Sequence, residues 1–135
     1  MSNKSLNIRF INPSSLAKPF GYSHVVQVTG GTTFYISGQV PLDAEGNWWG
    51  EGDLRAQATQ VFRNLKAALE AAGADFNSVV KLGFYLTDIS QIAVVREVRD
   101  QYINTENPPA STAVQVSRLF RDGILIEVDA IAVKG

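Results

Sequence analysis

The sequence predicts an α+β fold: one mixed β-sheet of about six strands with two helices on one face, in the order β-β-α-β-α-β-β. Three observations predict it. Short runs rich in β-branched and aromatic residues occur toward both ends of the chain, a long amphipathic helix follows the first runs, and a second helix lies between two later strands. Because two helices cover only one face of such a sheet, the other face needs a different partner.

The first two predicted strands are residues 24–28 and 32–37. They are separated by Thr29-Gly30-Gly31, and neighbouring glycines supply the positive φ angles of tight turns. We therefore expect the two strands to form a hairpin. A glycine-rich loop then spans residues 41–52.

The first helix is predicted between Asp53, a suitable N-cap, and Gly73, a suitable stop. A single apolar stripe with helical periodicity runs between them, formed by Leu54, Ala58, Val61, Phe62, Leu65, Ala68, Leu69 and Ala72. This stripe predicts a helix that packs one face against a sheet.

The second half of the chain predicts a strand at 78–87, a helix at 89–103 and strands at 111–119 and 124–133. Asp88 and Gln91 have the spacing of a capping box for the second helix. The last strand is apolar on both sides, which requires burial on both sides. We therefore expect self-association through the face that the helices leave uncovered.

Composition limits the classes of function. The 135 residues suit a single domain, and 45% hydrophobic content suffices for a core. The net charge is −1 without a Lys/Arg cluster, which disfavours a nucleic-acid partner. The chain has no cysteine, no apolar stretch of membrane-spanning length and no apolar segment near its start typical of a signal peptide. We expect a cytoplasmic protein without membrane contact.

Four short motifs occur in an order and spacing that resemble the RidA (YjgF/YER057c) family. They are Gly21-Tyr22-Ser23, Ser37-Gly38-Gln39, Pro109-Ala110-Ser111-Thr112 and Ile126-Glu127-Val128-Asp129-Ala130. The resemblance covers nearly the whole chain. It implies a fold like that of a small chorismate mutase, a homotrimer with ligand clefts between subunits, and hydrolysis of reactive imines without a cofactor.

The resemblance also implies roles for individual residues. Glu127 matches the glutamate that handles water or protons in the deaminating members, which makes it the catalytic candidate. The positions expected to bind substrate are Tyr22, Ser37, Gly38, Ser111, Ala113 and Arg96. A structural interpretation stays open for Glu127, as a paired strand carboxylate, and for Tyr22, as a packing aromatic.

Ser111 departs from the family pattern. Deaminating members carry Pro-Ala-Arg-Ser or Pro-Ala-Arg-Thr, and that arginine grips the substrate carboxylate. Serine offers one weak donor and no charge, so it does not replace a guanidinium. We therefore predict weak or absent 2-iminobutanoate/2-iminopropanoate deaminase activity.

A second departure lies in the second helix, where Arg96 and Arg99 stand at positions that commonly hold asparagine and tyrosine. Both arginines are solvated helix-face charges beside Glu97 and Asp100, or one of them reaches the cleft and replaces the missing cation.

Other polar and aromatic residues carry weaker signals. His24 is the only histidine and cannot build a zinc site alone, so we expect no metal. Trp48 and Trp49 form either a hydrophobic lid or interface anchor, or the ends of a loop packed on its own domain.

Three functions are considered: a cofactor-independent hydrolase of imines, enamines or related intermediates; a non-catalytic metabolite-binding or regulatory protein; and the ribonuclease or translation inhibitor often associated with the family. The acidic balance and the lack of basic patches disfavour the third.

Overall fold

The computed structural model describes residues 5–135, which form six strands, two α-helices and two 3₁₀ helices. The strands are β1 (Asn7–Ile11), β2 (Val25–Thr29), β3 (Thr32–Gln39), β4 (Val79–Leu86), β5 (Ala110–Gln115) and β6 (Ile126–Lys134), and the α-helices are α1 (Leu54–Ala71) and α2 (Ile92–Arg99). The 3₁₀ helices are Phe76–Ser78 and Ile89–Gln91. The predicted α+β class is confirmed, and β1 adds a strand at the start of the predicted order.

Four strands form a mixed sheet in the order β3-β6-β4-β5, in which β4 and β5 are parallel and the other pairs antiparallel. Both helices contribute to one core on one face of this sheet, as predicted. The core centres on apolar residues of α1, α2, β4 and β6, including Phe62, Leu65, Leu82, Val95, Ile126 and Val128. We call this face the helix side and the opposite face the open side.

The predicted hairpin between residues 24–28 and 32–37 is wrong. β2 pairs with β1 in a separate two-stranded ladder, and β3 pairs with β6. The cause is Ser23, whose backbone N–H donates to the Pro109 carbonyl at 3.1 Å and whose hydroxyl donates to the Pro108 carbonyl at 2.6 Å. These bonds hold the start of β2 beside β5, at the sheet edge opposite β3.

α1 begins and ends where its sequence predicts. The Asp53 side chain accepts a hydrogen bond from the Ala56 backbone N–H, and Gly73 follows the helix with a φ of 71°. A positive φ favours glycine, which explains why the helix stops there.

The second predicted helix is shorter than the 89–103 expected. Asp88 caps the 3₁₀ turn Ile89–Gln91 rather than α2, and α2 itself ends at Arg99. The capping box is modified, because the Gln91 side chain bonds the Asp88 side chain instead of its backbone N–H.

No helix among residues 5–135 combines the length and hydropathy that crossing a bilayer requires.

Gln57, on α1, is a fully buried polar side chain outside the predicted apolar stripe of that helix. Its Nε2 donates to the carbonyls of Gly50 and Gly123, and its Oε1 accepts from the Leu125 N–H at 2.8 Å. One amide thus joins the glycine-rich loop, α1 and the segment leading into β6.

We expect Gln57→Leu to lower the free energy of unfolding by about 1–3 kcal/mol, because it leaves part-buried backbone groups without partners. Urea denaturation at one fixed protein concentration measures it. Gln101→Leu, the same change at an exposed residue, serves as the control. Equal stabilities of the two variants would contradict the role given to Gln57.

Candidate functional site

The predicted site residues form two groups on opposite faces of the sheet. Ser111 and Ala113 are paired with Leu82 and Phe84, whose side chains lie in the core, so both belong to the helix side. Glu127 is one residue from the buried Val128, so it points to the open side. Within one chain, therefore, Ser111 and Glu127 do not share a cleft.

The helix-side group lines a cavity of about 170 Å³ between α2, β5 and the segment before β2. Four of the predicted binding residues meet here: Tyr22, Arg96, Ser111 and Ala113. The apolar wall is formed by Phe20, Phe84, Ile92 and Val95. The cavity therefore combines apolar surface with hydroxyl and guanidinium donors, a common composition for sites that bind small organic molecules.

The bonds of Ser23 place Tyr22 at the cavity, because they fix the chain against the start of β5. The Tyr22 ring meets His24 edge-on, with centroids 5.3 Å apart. His24 Nε2 donates to the Ala17 carbonyl at 2.6 Å, and its backbone N–H donates to Asn12 Oδ1. His24 thus holds its own segment in place.

Arg99 also lines the cavity, and its side chain is only 8% exposed. Its Nε donates to Asp100 Oδ1 at 2.9 Å. Arg96 is exposed. The interpretation of both arginines as solvated charges is therefore wrong for Arg99, because only Arg99 turns its guanidinium into the fold.

The second group lies on the open side around a β-bulge in β3. The register shifts between Ile36 and Gln39, so residues 37–38 form the irregularity. A Cβ at Gly38 would overlap the Glu127 carboxyl group, so Glu127 lies directly over the glycine backbone. Bulges often redirect the chain beside functional sites, and this one brings together Gly38 and Glu127, with Ser37 adjacent.

A second carboxylate lies next to this group. Asp129 is two residues from Glu127 on the same face, and it covers Gly83 of β4, where a Cβ would overlap its Oδ1. The Tyr85 hydroxyl donates to Asp129 Oδ2 at 3.0 Å. That hydrogen bond raises the pKa of Tyr85, and the charges of Asp129 and Glu127 add to the increase.

The pKa of Glu127 is raised above its ordinary value, first by burial and then by the negative charge of Asp129. No cation in residues 5–135 pairs with Glu127. A carboxyl group with a raised pKa binds and releases protons nearer neutral pH, which suits acid–base chemistry.

The two tryptophans pack on their own chain. Trp49 Nε1 donates to Asp43 Oδ2 at 2.9 Å, and this bond is the first cause that holds the pKa of Asp43 below its ordinary value. Trp48 lies under the Arg121 guanidinium, 5.0 Å from the ring centroid. These contacts favour the interpretation of a loop packed on its own domain.

No group of three or more His, Cys, Asp or Glu side chains among residues 5–135 is arranged to hold a metal ion.

Sequence reasoning missed two features of the site, Phe20 and the Tyr85–Asp129 pair, and left open which of the two arginines of α2 turns inward. Alternation offered a partial signal for the Tyr85–Asp129 pair, because Gly83 and Tyr85 share one face of their strand. That Asp129 lies opposite Gly83 follows only from the register of β4 and β6. The position of Phe20 depends on the path of an irregular segment, which periodicity does not predict.

Comparison with known proteins identifies the family. The family model described as Endoribonuclease L-PSP matches residues 13–134. The chain belongs to this family, which is the YjgF/RidA family that its motifs resemble.

Curated relatives and a solved structure agree. A RutC family protein of Pyrococcus abyssi is 44% identical over 118 residues, which are 87% of this chain and 90% of that protein. The 2-iminobutanoate/2-iminopropanoate deaminase of Mus musculus is 42% identical, covering 84% of this chain and 82% of the deaminase. The crystal structure of YyfB, a Rid family protein of Yersinia pestis, superposes with a TM-score of 0.84 at 36% identity, covering 95% and 99% of the two chains.

We expect Asp129→Asn to lower the pKa of Glu127, because the neighbouring negative charge is removed while the side chain keeps its size. An NMR titration of the Glu127 carboxyl carbon measures the change. Asp122→Asn removes an exposed carboxylate elsewhere and should leave that pKa unchanged. An unchanged or higher pKa in Asp129→Asn would show that Asp129 does not act on Glu127.

Proposed function

We propose that this chain is a single-domain, cytoplasmic Rid-type protein that binds small metabolites in clefts between the subunits of a homotrimer. The observation that supports this most is the division of the site. Ser111 and Glu127 lie on opposite faces of one sheet, so a cleft that uses both needs the helix-side cavity of one subunit and the open side of another.

The open side has the surface that such an assembly requires. Tyr35 is 80% exposed and is paired with Ile131, an apolar residue on the same face of β6. Val114 of β5 is also exposed there and lies beside Tyr85. Exposed apolar side chains on a sheet face that no helix covers favour association with another subunit.

The proposed reaction class is hydrolysis of an imine, enamine or related intermediate. An enamine first takes a proton at its β-carbon and loses one from nitrogen, which gives the imine. Water adds to the C=N carbon, the C–N bond breaks, and the nitrogen leaves as ammonia while a carbonyl group forms. Glu127 is the group proposed to take the proton from water and return it to the nitrogen, and its raised pKa supports that role. No cofactor is required, because water is the nucleophile.

Ser111 restricts the substrate. A small 2-imino acid loses the guanidinium that would hold its carboxylate on β5, and removal of a charged hydrogen bond in a binding site costs about 2–5 kcal/mol. We propose that archetypal 2-iminobutanoate/2-iminopropanoate deaminase activity is weak or absent, although a relative at 42% identity bears that name.

A second candidate is a metabolite-binding or regulatory protein without catalysis. It is favoured by the same substitution at Ser111, because the cavity persists while the expected anchor is lost. An endoribonuclease, the description that the family carries, is disfavoured by a net charge of −1 and a pI of about 5.8.

We expect the decay of 2-iminobutanoate, generated by a coupled amino-acid oxidase, to be accelerated at least about thirtyfold less by this protein than by an arginine-bearing family member. Ser111→Arg should restore activity if the rest of the cleft is suitable, and Ser111→Lys is the matched charge control. A wild-type rate equal to that of the arginine-bearing protein would refute the proposed restriction.

We expect light scattering to give three times the chain mass of 14.7 kDa. Tyr35→Asp should shift the protein toward the monomer, because it places a charge in the proposed interface. Lys66→Asp, an exposed position on α1, is the control and should keep the trimer. A monomer in the wild-type protein, or an intact trimer in Tyr35→Asp, would contradict this assembly.

A further inference from the structure

Arg99 has a nearly buried charged side chain with a single ion-pair partner among residues 5–135, Asp100. Its side chain is 8% exposed, at the C-terminal end of α2. Burial of a guanidinium costs free energy unless its donors are satisfied, and a position at a helix C-terminus offsets only part of that cost. The remaining donors of Arg99 therefore need solvent or a further partner.

The donors of Arg99 are used unequally. Nε donates to Asp100, whereas neither Nη atom has a hydrogen-bond acceptor among residues 5–135. No buried side-chain nitrogen or oxygen in that part of the chain lacks a partner. The Nη atoms therefore retain accessible surface, and Arg99 lines the helix-side cavity.

Gly21 packs against the guanidinium of Arg99. Its φ of 79° is a conformation that favours glycine, and a Cβ at this position would overlap Nη2. The segment before β2 thus packs its bare backbone on Arg99. Together with Asp100 at Nε, it sets the plane of the guanidinium. An arginine held in this way loses little conformational entropy when it binds a ligand.

We propose that Arg99 anchors the carboxylate of a small aryl or branched-alkyl acid in the helix-side cavity. This inference deepens the proposed function, since it takes that cavity to be the ligand cleft. The Nη groups have no acceptor among residues 5–135, and a guanidinium donates readily to a carboxylate. The aromatic and aliphatic wall that includes Phe20, Phe84 and Val95 receives the apolar part of the ligand.

The anchor differs in position from the one that Ser111 replaces. Arg99 belongs to α2 and Ser111 to β5, so a ligand held by Arg99 lies between α2 and the segment before β2. Ser111 is then left to donate or accept a single hydrogen bond. Arg96 is exposed at the cavity rim and adds positive potential without being held in place.

The test is a binding titration that compares phenylacetate with phenylacetamide, its uncharged counterpart. The NMR shifts of the cavity residues, at fixed protein concentration, report the binding. We expect phenylacetate to shift cavity resonances and to bind at least about thirtyfold more tightly than phenylacetamide. Equal affinities, or no shift with phenylacetate, would overturn the inference.

Variants then assign the anchor. Arg99→Gln should weaken phenylacetate binding at least about thirtyfold, and Arg99→Lys should recover only part of it, because an ammonium lacks the planar pair of donors. Arg55→Gln removes one exposed charge near the same helix and should change the affinity little. Unchanged affinity in Arg99→Gln would overturn the inference.

Asp100→Asn provides a variant that does not remove the buried side chain. It keeps an acceptor for Nε but removes a negative charge beside the proposed anion, so phenylacetate should bind about 1.5- to 5-fold more tightly. An anion bound away from Arg99 and Asp100 predicts no gain. If the Arg99 variants do not fold, the Asp100→Asn result decides, and weaker or unchanged binding there contradicts the proposal.

These measurements need neither catalysis nor a particular oligomer. If phenylacetate binds through Arg99 while imine decay is unaffected, the anchor stands and the hydrolase fails. If the protein hydrolyses imines but Arg99→Gln leaves phenylacetate affinity unchanged, the anchor fails and the hydrolase stands.

Discussion

The alternation of side chains along β6 is the constraint on which the site depends. Every second residue from Ile126 to Ala132 is buried in the core, so the residues between them, including Glu127 and Asp129, must lie on the open side. Moving Glu127 to the helix side would slip the strand by one residue and expel its apolar side chains from the core. The position of the catalytic candidate and the stability of the fold therefore have the same cause.

Two glycines make room for these carboxylates. Gly38 and Gly83 lie on the strands that flank β6, and a side chain at either position would collide with Glu127 or Asp129. On the other face, Gly21 plays the same part for Arg99. Charged groups thus approach bare backbone on both sides of the sheet, because only glycine leaves the space that they occupy.

The strongly periodic helix α1 was confirmed, whereas the second helix is shortened by a local 3₁₀ turn and the hairpin error fell where a long-range contact decided the path. The apolar stripe and caps of α1 are local, so Asp53 and Gly73 are sufficient to place the helix. The predicted hairpin failed because Ser23 bonds to Pro108 and Pro109, about 85 residues away in sequence. Turn chemistry at Gly30 and Gly31 carries no information about that contact.

Residue identity and short spacing were enough to predict the fold class and the family motifs, including a serine at position 111, because none of these depends on distant contacts. That Ser111 and Glu127 face opposite ways, and that Arg99 rather than Arg96 turns inward, became evident only from the folded chain. The physical reason is that the face on which an edge strand presents a residue, and the depth of a helix residue, are set by what packs against them. For Arg99 that partner is Gly21, which lies 78 residues earlier in the chain.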